Sequence, residues 1–353
     1  MNKYVNYNPL SFLCFGSGAI GTYVGGSLSL AGNKVVFLDK PVVADQLKSS
    51  GLILQIEGME RRVSEPVVST TMEEALSHGP FDVAIVAVKS YDTRSLLEKI
   101  LSYKELLPPL LCLQNGVENE DILASAVGIE NIIPGSVTSA VGKKPTGGVI
   151  LERLRGIGIS SSHQYVPALI STLNAAGLNA RFYSDARSMK WSKMITNLLA
   201  NATCAIMDMT PREIMADKRL YRLEIAQLQE TLYVMSAMHL RVVNLPGTPV
   251  RLLSWAIRFI PSLSQPILIR AIGSGRGRKM PSFHIDLYSN TGRSEVDYLN
   301  GAVVRFGKAY HIPTPVNDLL NNTLTRMVQG EIRKEEFAHQ PERLISLMNT
   351  RKS

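Results

Sequence analysis

The sequence predicts an α/β protein with two domains, an N-terminal parallel-sheet domain over residues 1–184 and a C-terminal all-helical domain over residues 185–353. The chain has 353 residues, and this length suits two domains because single hydrophobic cores rarely grow beyond roughly 250 residues. Up to about residue 184, short apolar runs alternate with helical segments, a pattern typical of βαβ units. Beyond that point the pattern is largely helical.

Composition limits the possible partners. Hydrophobic residues make up 45% of the chain and charged residues 19%, which excludes a disordered protein. The net charge of +8 suits an anionic cofactor, an acidic metabolite or nucleic acid. Because the basic residues are dispersed and do not interleave with aromatic ones, we predict no nucleic-acid partner. Scattered histidines and three cysteines without a CxxC pair indicate no metal site, and they favour buried thiols in a reducing compartment, the cytoplasm.

Residues 11–32 carry no charge and are numerous enough to cross a bilayer. Six glycines dilute this stretch, and it lacks the basic segment and compact leucine-rich core of a signal sequence. We therefore predict no membrane partner and assign the stretch to a buried strand followed by a helix.

A G-x-G-x-x-G motif follows the first predicted strand, residues 11–16. It consists of Gly16, Ser17, Gly18, Ala19, Ile20 and Gly21. The first glycine turns the chain, the second lets the backbone approach a pyrophosphate, and the third lets the helix pack on the strand. Because a second predicted strand follows at residues 34–39, we favour a Rossmann-type dinucleotide site over a glycine-rich turn in another α/β protein.

Two residues at the end of the second predicted strand favour different cofactors. Asp39 is placed to accept hydrogen bonds from the ribose hydroxyls of NAD, whereas Lys40 is placed to neutralise the 2′-phosphate of NADP.

Two further apolar runs, residues 82–88 and 110–113, predict buried parallel strands. Lys89 follows the first run, and Gln114 and Asn115 follow the second. The carboxyl ends of such strands form the edge at which parallel sheets bind ligands. Ordinary turn chemistry explains the Asn-Gly pair equally well in isolation, but beside a dinucleotide loop we interpret these residues as part of a site.

In the second domain, residues 191–201 place one amine and two amides in register. Lys193, Asn197 and Asn201 are spaced by four, so a continuous helix sets them on one face. Because Asn is a poor helix former, we interpret the amides as hydrogen-bonding groups that look into a cleft. The alternative is a solvated stripe on an ordinary amphipathic helix.

Residues 242–281 contain five prolines between apolar runs, and these runs are broken by Arg251, Arg258 and Arg270. None of the runs is therefore predicted to span a membrane. We interpret the segment as an insertion used for packing or for the contact of a homodimer. Its loop at residues 273–279, Gly-Ser-Gly-Arg-Gly-Arg-Lys, is interpreted as a solvated loop, with anion binding as the alternative.

The densest polar stretch of the second domain is residues 293–301. Ser294 and Asp297 are spaced for a capping box at a helix start. This leaves Glu295 unexplained, unless it faces a cleft with Lys193.

These segments together resemble the ketopantoate reductase (2-dehydropantoate 2-reductase) family, of the superfamily similar to 6-phosphogluconate dehydrogenase. The matching segments span about residues 11–328 and comprise the glycine loop, Val88-Lys89, Gln114-Asn115-Gly116-Val117, the Trp-x-Lys-x3-Asn-x3-Asn helix, Pro281-Ser282 and residues 294–301. The glycine loop is shared by many folds. The lysine and two asparagines combined with Glu-x-Asp-x-x-Asn-Gly form the specific part.

The resemblance implies the NADPH-dependent reduction of ketopantoate, or of a closely similar small 2-oxo acid, in pantothenate biosynthesis. It implies Lys193 as the proton donor, a role that suits a lysine in a cleft because burial lowers its pKa toward working pH. Glu295 is implied near Lys193 and the nicotinamide ribose. The implied substrate contacts are Asn197, Asn201, Ser282 and Asn115. The implied cofactor contacts are the glycine loop, Asp39, Lys40, Lys89, Asn115 and Glu295.

The chain also departs from the family. Asp39-Lys40 stands where the family usually has an arginine, so NADP(H) is favoured while NAD(H) stays open. A polar residue expected after Asn201 falls near Thr210, and the 242–281 insertion directly precedes Ser282. An NAD(P)-dependent reductase of a different 2-oxo or 3-hydroxy acid is therefore the alternative enzyme. A dinucleotide-binding sensor without turnover is the alternative from another class, and Lys193 and Glu295 argue against it.

Overall fold

The computed structural model describes residues 9–144, 148–261, 279–289 and 292–350, together with positions 265 and 269. The chain divides into two compact units. Unit 1 extends to Lys190 and also includes Leu245–Thr248, and unit 2 starts at Trp191 and contains the remainder. The division falls inside a single helix, Ala186–Leu198.

Unit 1 alternates strands with helices. Its strands are β1 (Ser11–Phe15), β2 (Lys34–Leu38), β3 (Leu52–Ile56), β4 (Met59–Val63), β5 (Val67–Ser69), β6 (Val83–Val86), β7 (Leu110–Cys112), β8 (Ile132–Val137), β9 (Ala140–Lys143), β10 (Val149–Arg153), β11 (Ile157–Ile159) and β12 (Ala180–Phe182). Its helices are α1 (Ala19–Leu30), α2 (Pro41–Ser50), α3 (Met72–Ser77), α4 (Thr93–Ile100), α5 (Asn119–Val127) and α6 (Val166–Ala175), followed by α7 (Ala186–Leu198) across the division.

The main sheet of unit 1 has the strand order β5-β2-β1-β6-β7-β8-β11-β12. The first six of these strands are parallel, and β11 runs antiparallel to β8. Relabelled by sequence, those six strands give the order 3-2-1-4-5-6 of dinucleotide-binding domains. The predicted fold class is confirmed. The order reverses between β1 and β6, and ligands bind at the carboxyl ends of strands at such a point.

The apolar runs form strands because both faces of the sheet are covered. Along β1, Phe12 packs in one buried cluster with Leu169 of α6, whereas Leu13 packs in another with Leu123 of α5. This alternation follows from the two-residue period of a strand. A second sheet has the order β4-β3-β10-β9. The cysteines Cys14, Cys112 and Cys204 are buried free thiols, as predicted.

The regular secondary structure among the described residues of unit 2 is helical, as predicted for the second domain. After α7 the helices are α8 (Ala202–Met207), α9 (Pro211–Ala216), α10 (Lys218–Ala237), α11 (Val250–Phe259), α12 (Ser282–Tyr288), α13 (Val296–Ala309), α14 (Pro315–Val328) and α15 (Pro341–Thr350).

Helices α9 and α10 are separated by a single residue. Asp217 separates them, and its side chain accepts hydrogen bonds from the backbone N–H groups of Arg219 and Leu220. An aspartate that caps a helix in this way starts a new helix rather than continuing the previous one.

Among the helices that the structure describes, none combines the length and the low charge needed to cross a bilayer. Within the 242–281 segment, α11 exposes Leu252, Trp255 and Phe259. Residues 273–278 of the predicted glycine-arginine loop lie outside the described residues.

Candidate active site

The glycine loop connects β1 to α1 at the point where the strand order reverses. Gly16 has φ +90°, and a Cβ built on Gly21 lies 1.9 Å from the Gly16 carbonyl oxygen. Only glycine fits this turn and this approach of the helix to it. A Cβ on Gly18 meets nothing within 4 Å. The backbone at Gly18, which starts α1 without a side-chain cap, is therefore open to a ligand.

The carboxylate of Asp39 faces the glycine loop. Its Oδ2 accepts hydrogen bonds from the Ser17 backbone N–H at 2.7 Å and from the Ser17 hydroxyl at 2.6 Å. Its Oδ1 accepts one from the Lys40 backbone N–H at 2.8 Å. The Lys40 side chain is exposed at the start of α2. Asp39 thus fixes the loop and places a negative charge at the end of β2.

Hydrogen bonds cross-link the polar residues that follow β6 and β7. Gln114 Nε2 donates to the Val88 carbonyl at 3.1 Å. The Asn115 carbonyl accepts from Asn119 Nδ2 at 2.6 Å and from Ser90 Oγ at 2.9 Å. These bonds hold the Gln114–Asn115 turn in one conformation at the edge of the sheet that also carries the glycine loop.

The prediction of one continuous helix through Asn201 was wrong. Helix α7 ends at Leu198, Ala200 has φ +55°, and Asn201 is the N-cap residue of α8. Lys193 and Asn197 remain on one face of α7. At this break, Oε2 of Glu224 on α10 accepts a hydrogen bond from the Ala200 N–H at 2.8 Å.

The break directs the Asn201 amide to the start of α12. Asn201 Nδ2 donates to Ser282 Oγ at 3.3 Å and to the Asn197 carbonyl at 3.0 Å. Asn201 Oδ1 accepts from the Phe283 N–H at 3.1 Å. The structure therefore brings together three residues that were predicted to bind substrate: Asn197, Asn201 and Ser282.

Glu295 is the N-cap residue of α13 and is 3% exposed. The capping box expected between Ser294 and Asp297 does not form. Ser294 Oγ accepts from the Val296 N–H at 3.2 Å, whereas the Asp297 carboxylate pairs with Arg305 at 3.1 Å. A capping box does form between Thr210 and Glu213, and the Thr210 side chain therefore caps the start of α9.

A network of buried polar side chains links α10, α13 and α14. Gln227 Nε2 donates to Glu224 Oε2 at 2.6 Å. Asn300 Nδ2 donates to Gln227 Oε1 at 3.1 Å and to Asn317 Oδ1 at 3.1 Å. Asn317 Nδ2 donates to Glu230 Oε2 at 2.7 Å. These five side chains, called the core polar network below, fix the three helices against one another.

Two family models match the chain. The model described as Ketopantoate reductase PanE/ApbA matches residues 12–162, and its C-terminal counterpart matches residues 185–328. The chain belongs to the ketopantoate reductase family. It is accordingly an NAD(P)-dependent oxidoreductase.

Relatives from this family align over nearly their whole length. The 2-dehydropantoate 2-reductase of Lactococcus lactis subsp. lactis (strain IL1403) is 27% identical over 86% of this chain and 94% of the relative. That of Archaeoglobus fulgidus is 26% identical over 89% of this chain and 95% of the relative.

Solved structures also match. A PanE/ApbA family ketopantoate reductase from Ralstonia eutropha JMP134 has a TM-score of 0.75 and 26% identity, covering 91% of this chain and 99% of that chain. D-mandelate dehydrogenase, solved with NADH and anilino(oxo)acetate, has a TM-score of 0.72 and 25% identity, covering 90% of this chain and 99% of that one.

In this member of the ketopantoate reductase family, a buried ion pair contacts the Gln114–Asn115 turn. The pair was not predicted from the sequence. Lys190 Nζ lies 2.6 Å from Glu120 Oε1 and donates to the carbonyls of Gln114 at 2.8 Å and Gly135 at 3.3 Å. Burial lowers the pKa of Lys190, but its charge interactions with Glu120 and Cys112 and its hydrogen bond to Glu120 together outweigh burial, and the net pKa is raised. Lys190 therefore stays charged. No spacing signal relates these two residues in the sequence.

We expect Lys190→Met to lower the free energy of unfolding by about 3–5 kcal/mol, because the buried Glu120 carboxylate loses its partner. The double variant with Glu120→Leu is expected to recover most of this loss. Urea denaturation followed by circular dichroism measures both. Lys104→Met, which breaks an exposed pair with Glu105, is the control and should change little. Equal destabilisation of the single and double variants would contradict the role of the pair.

Proposed function

We propose that the protein reduces ketopantoate, or a closely similar 2-oxo acid, to the corresponding 2-hydroxy acid with a nicotinamide cofactor. The observation that carries this proposal is the hydrogen-bonded group of Asn197, Asn201 and Ser282, with Lys193 one turn before Asn197 on α7. Hydrogen-bond donors for a carboxylate and a cation for a carbonyl oxygen are the groups that a 2-oxo acid requires. Full-length similarity to named 2-dehydropantoate 2-reductases supports the same substrate class.

Lys193 is proposed as the proton donor. When bound, the reduced nicotinamide supplies the hydride to C2 of the substrate. The Lys193 ammonium polarises the C2 carbonyl and then gives its proton to the alkoxide oxygen. Glu295 is proposed to contact Lys193 and the nicotinamide ribose, since a buried carboxylate beside an ammonium keeps it protonated and orients it.

Asn197, Asn201 and Ser282 are proposed to bind the carboxylate and hydroxyl of the substrate. Ser282 Oγ accepts its hydrogen bond from Asn201, so the hydroxyl proton of Ser282 is available to donate to a substrate oxygen. Both hydrogens of the Asn201 amide are already donated and its oxygen accepts, so Asn201 holds Ser282 in place before substrate arrives and is proposed to reach the substrate by exchanging one of these bonds. Such preorganisation lowers the entropic cost of binding. Asn115 is proposed as a further contact, on the nicotinamide side.

The glycine loop is proposed to hold the pyrophosphate. The open backbone at Gly18 and the uncapped start of α1 fit a phosphate, because free N–H groups at a helix start attract anions. Ser17, Ala19 and Ile20 complete the loop, and Lys89 and Asn115 are proposed to line the nicotinamide end.

We propose NADPH as the preferred cofactor. Both oxygens of Asp39 already accept hydrogen bonds within the chain, whereas the exposed Lys40 amine is free to approach a 2′-phosphate.

We expect Lys40→Ala to lower kcat/KM for NADPH about 5- to 10-fold at low salt, since an exposed charge contributes about 1 kcal/mol. The same variant should leave kcat/KM for NADH unchanged. Steady-state kinetics with both cofactors measure this.

Lys48→Ala, an exposed lysine on the same helix α2, is the matched control for Lys40→Ala. An equal loss with NADH, or none with NADPH, would contradict the proposed phosphate contact. The charge of Asp39 and the similarity to D-mandelate dehydrogenase with NADH favour NAD(H) as the alternative cofactor.

The test of the proposed function is to mix purified protein with ketopantoate and follow oxidation of NADPH and, separately, of NADH. Rapid oxidation with ketopantoate is the expected result. The similarity to D-mandelate dehydrogenase favours a second candidate substrate, an aryl 2-oxo acid, so phenylglyoxylate is assayed in parallel. Turnover of phenylglyoxylate without turnover of ketopantoate would replace the substrate and retain the reaction.

A further inference from the structure

The turn that carries Asn201 is held from outside its own helix. Ala200 adopts a left-handed conformation, which is unfavourable for a residue with a Cβ. Such a conformation persists only where surrounding contacts fix it. Without it α7 would run on and Asn201 would not cap α8.

Glu224 supplies these contacts. Its side chain is 0% exposed, and its carboxylate accepts three hydrogen bonds: from the Ala200 N–H at 2.8 Å, from Gln227 Nε2 at 2.6 Å and from the Thr203 hydroxyl. Ala200 and Thr203 lie on either side of Asn201 in the chain. One carboxylate therefore holds both flanks of the asparagine.

We infer that Glu224 is a positioning residue for substrate binding, which holds the Ala200–Asn201 turn so that the Asn201 amide reaches Ser282. This inference rests on the proposed function, in which Asn201 and Ser282 bind the 2-oxo acid. Glu224 itself touches neither substrate nor cofactor. Its effect is on the affinity for substrate, whereas the proton transfer from Lys193 proceeds as before.

All three bonds use Glu224 as an acceptor, so the set is strongest when the carboxylate is ionised. On protonation, Oε1 can donate to the Thr203 hydroxyl, which also accepts, but the bonds from the Ala200 N–H and Gln227 lose their charge assistance and become about half as strong. Burial raises the pKa of Glu224 to about 7, although the three hydrogen bonds lower it. The turn should therefore loosen as the pH falls through neutrality.

Other titratable groups lie near this carboxylate. On α8, the Cys204 thiol has a pKa raised by burial and by the charges of Glu224 and Glu213, so it stays neutral. On α10, Glu230 has a pKa raised by burial and accepts hydrogen bonds from α14. Because neither Cys204 nor Glu230 contacts the Ala200 N–H, the resonance of that amide distinguishes the titration of Glu224 from theirs.

The experiment compares the wild type with Glu224→Gln, which keeps the size of the side chain and removes its titration. For the wild type we expect the KM for ketopantoate to rise on the order of 5-fold between pH 8 and pH 6, the equivalent of one hydrogen bond, with little change in kcat. In Glu224→Gln the KM should be flat across this range. Thr203→Val removes one donor and should move the midpoint of the KM profile to higher pH, since fewer hydrogen bonds stabilise the ionised form.

The second readout needs no turnover. In protein labelled with ¹⁵N-alanine, the Ala200 amide resonance is expected to titrate near pH 7 in the wild type and not in Glu224→Gln. If no 2-oxo acid is reduced but this resonance titrates, the proposed function fails and the structural role of Glu224 stands. If ketopantoate is reduced with identical KM profiles in the wild type and Glu224→Gln, the inference about Glu224 is overturned.

Discussion

Lys193→Ala is expected to lower kcat for ketopantoate reduction by on the order of 100-fold or more, the usual cost of removing a general acid. Without the ammonium, the alkoxide that forms at C2 has neither a proton donor nor a positive charge beside it. The dissociation constant of NADPH should change little, because the proposed cofactor contacts lie in the glycine loop and the strand ends. Stopped-flow reduction under single-turnover conditions separates the chemical step from product release.

Lys308→Ala is the matched control, since Lys308 is an exposed lysine on α13 outside the proposed machinery. It should retain the wild-type kcat. A Lys193→Ala variant that also retains it, with an unchanged thermal midpoint, would remove Lys193 from the mechanism.

Gly21→Ala is expected to lower the free energy of unfolding by about 3 kcal/mol or more, at the upper end of the cost of overpacking. The added Cβ would lie 1.9 Å from the Gly16 carbonyl oxygen, a backbone atom that cannot rotate away. The strand-to-helix turn must shift, and NADPH binding is lost with it. Differential scanning fluorimetry and NADPH fluorescence titration measure the two effects.

Gly18→Ala provides the contrast, because a Cβ there meets nothing within 4 Å. We expect a thermal midpoint close to that of the wild type together with weaker NADPH binding, since the methyl group occupies the space proposed for the pyrophosphate. If both glycine variants were equally stable, the close approach of α1 to the turn would not be the constraint described.

The N-terminal fold was predictable because its signals are local. The apolar runs of β1 and β6 and the glycines between β1 and α1 each report on their own few residues, and the parallel order of the sheet follows from alternating strands and helices. The candidate residues Asn197, Asn201 and Ser282 were likewise identified from the sequence, through a resemblance to a family. Their hydrogen bonds to one another were not.

The features that were missed depend on partners distant in the chain. A spacing of four among Lys193, Asn197 and Asn201 indicates a continuous helix, and nothing near Ala200 in the sequence contradicts it. The helix is interrupted there because Glu224, on a later helix, binds the Ala200 N–H. The Lys190–Glu120 pair is similar, since burial gives these two common surface residues their role.

The core polar network has a consequence for how this protein can diverge. Each of its members, Glu224, Gln227, Glu230, Asn300 and Asn317, hydrogen-bonds another member, so replacing one strands a donor or acceptor in the interior. Single replacements are therefore disfavoured, and compensating changes must arrive together. Ser282 lies outside the network, so changes of substrate preference should accumulate around Ser282 while the five network positions covary or stay fixed.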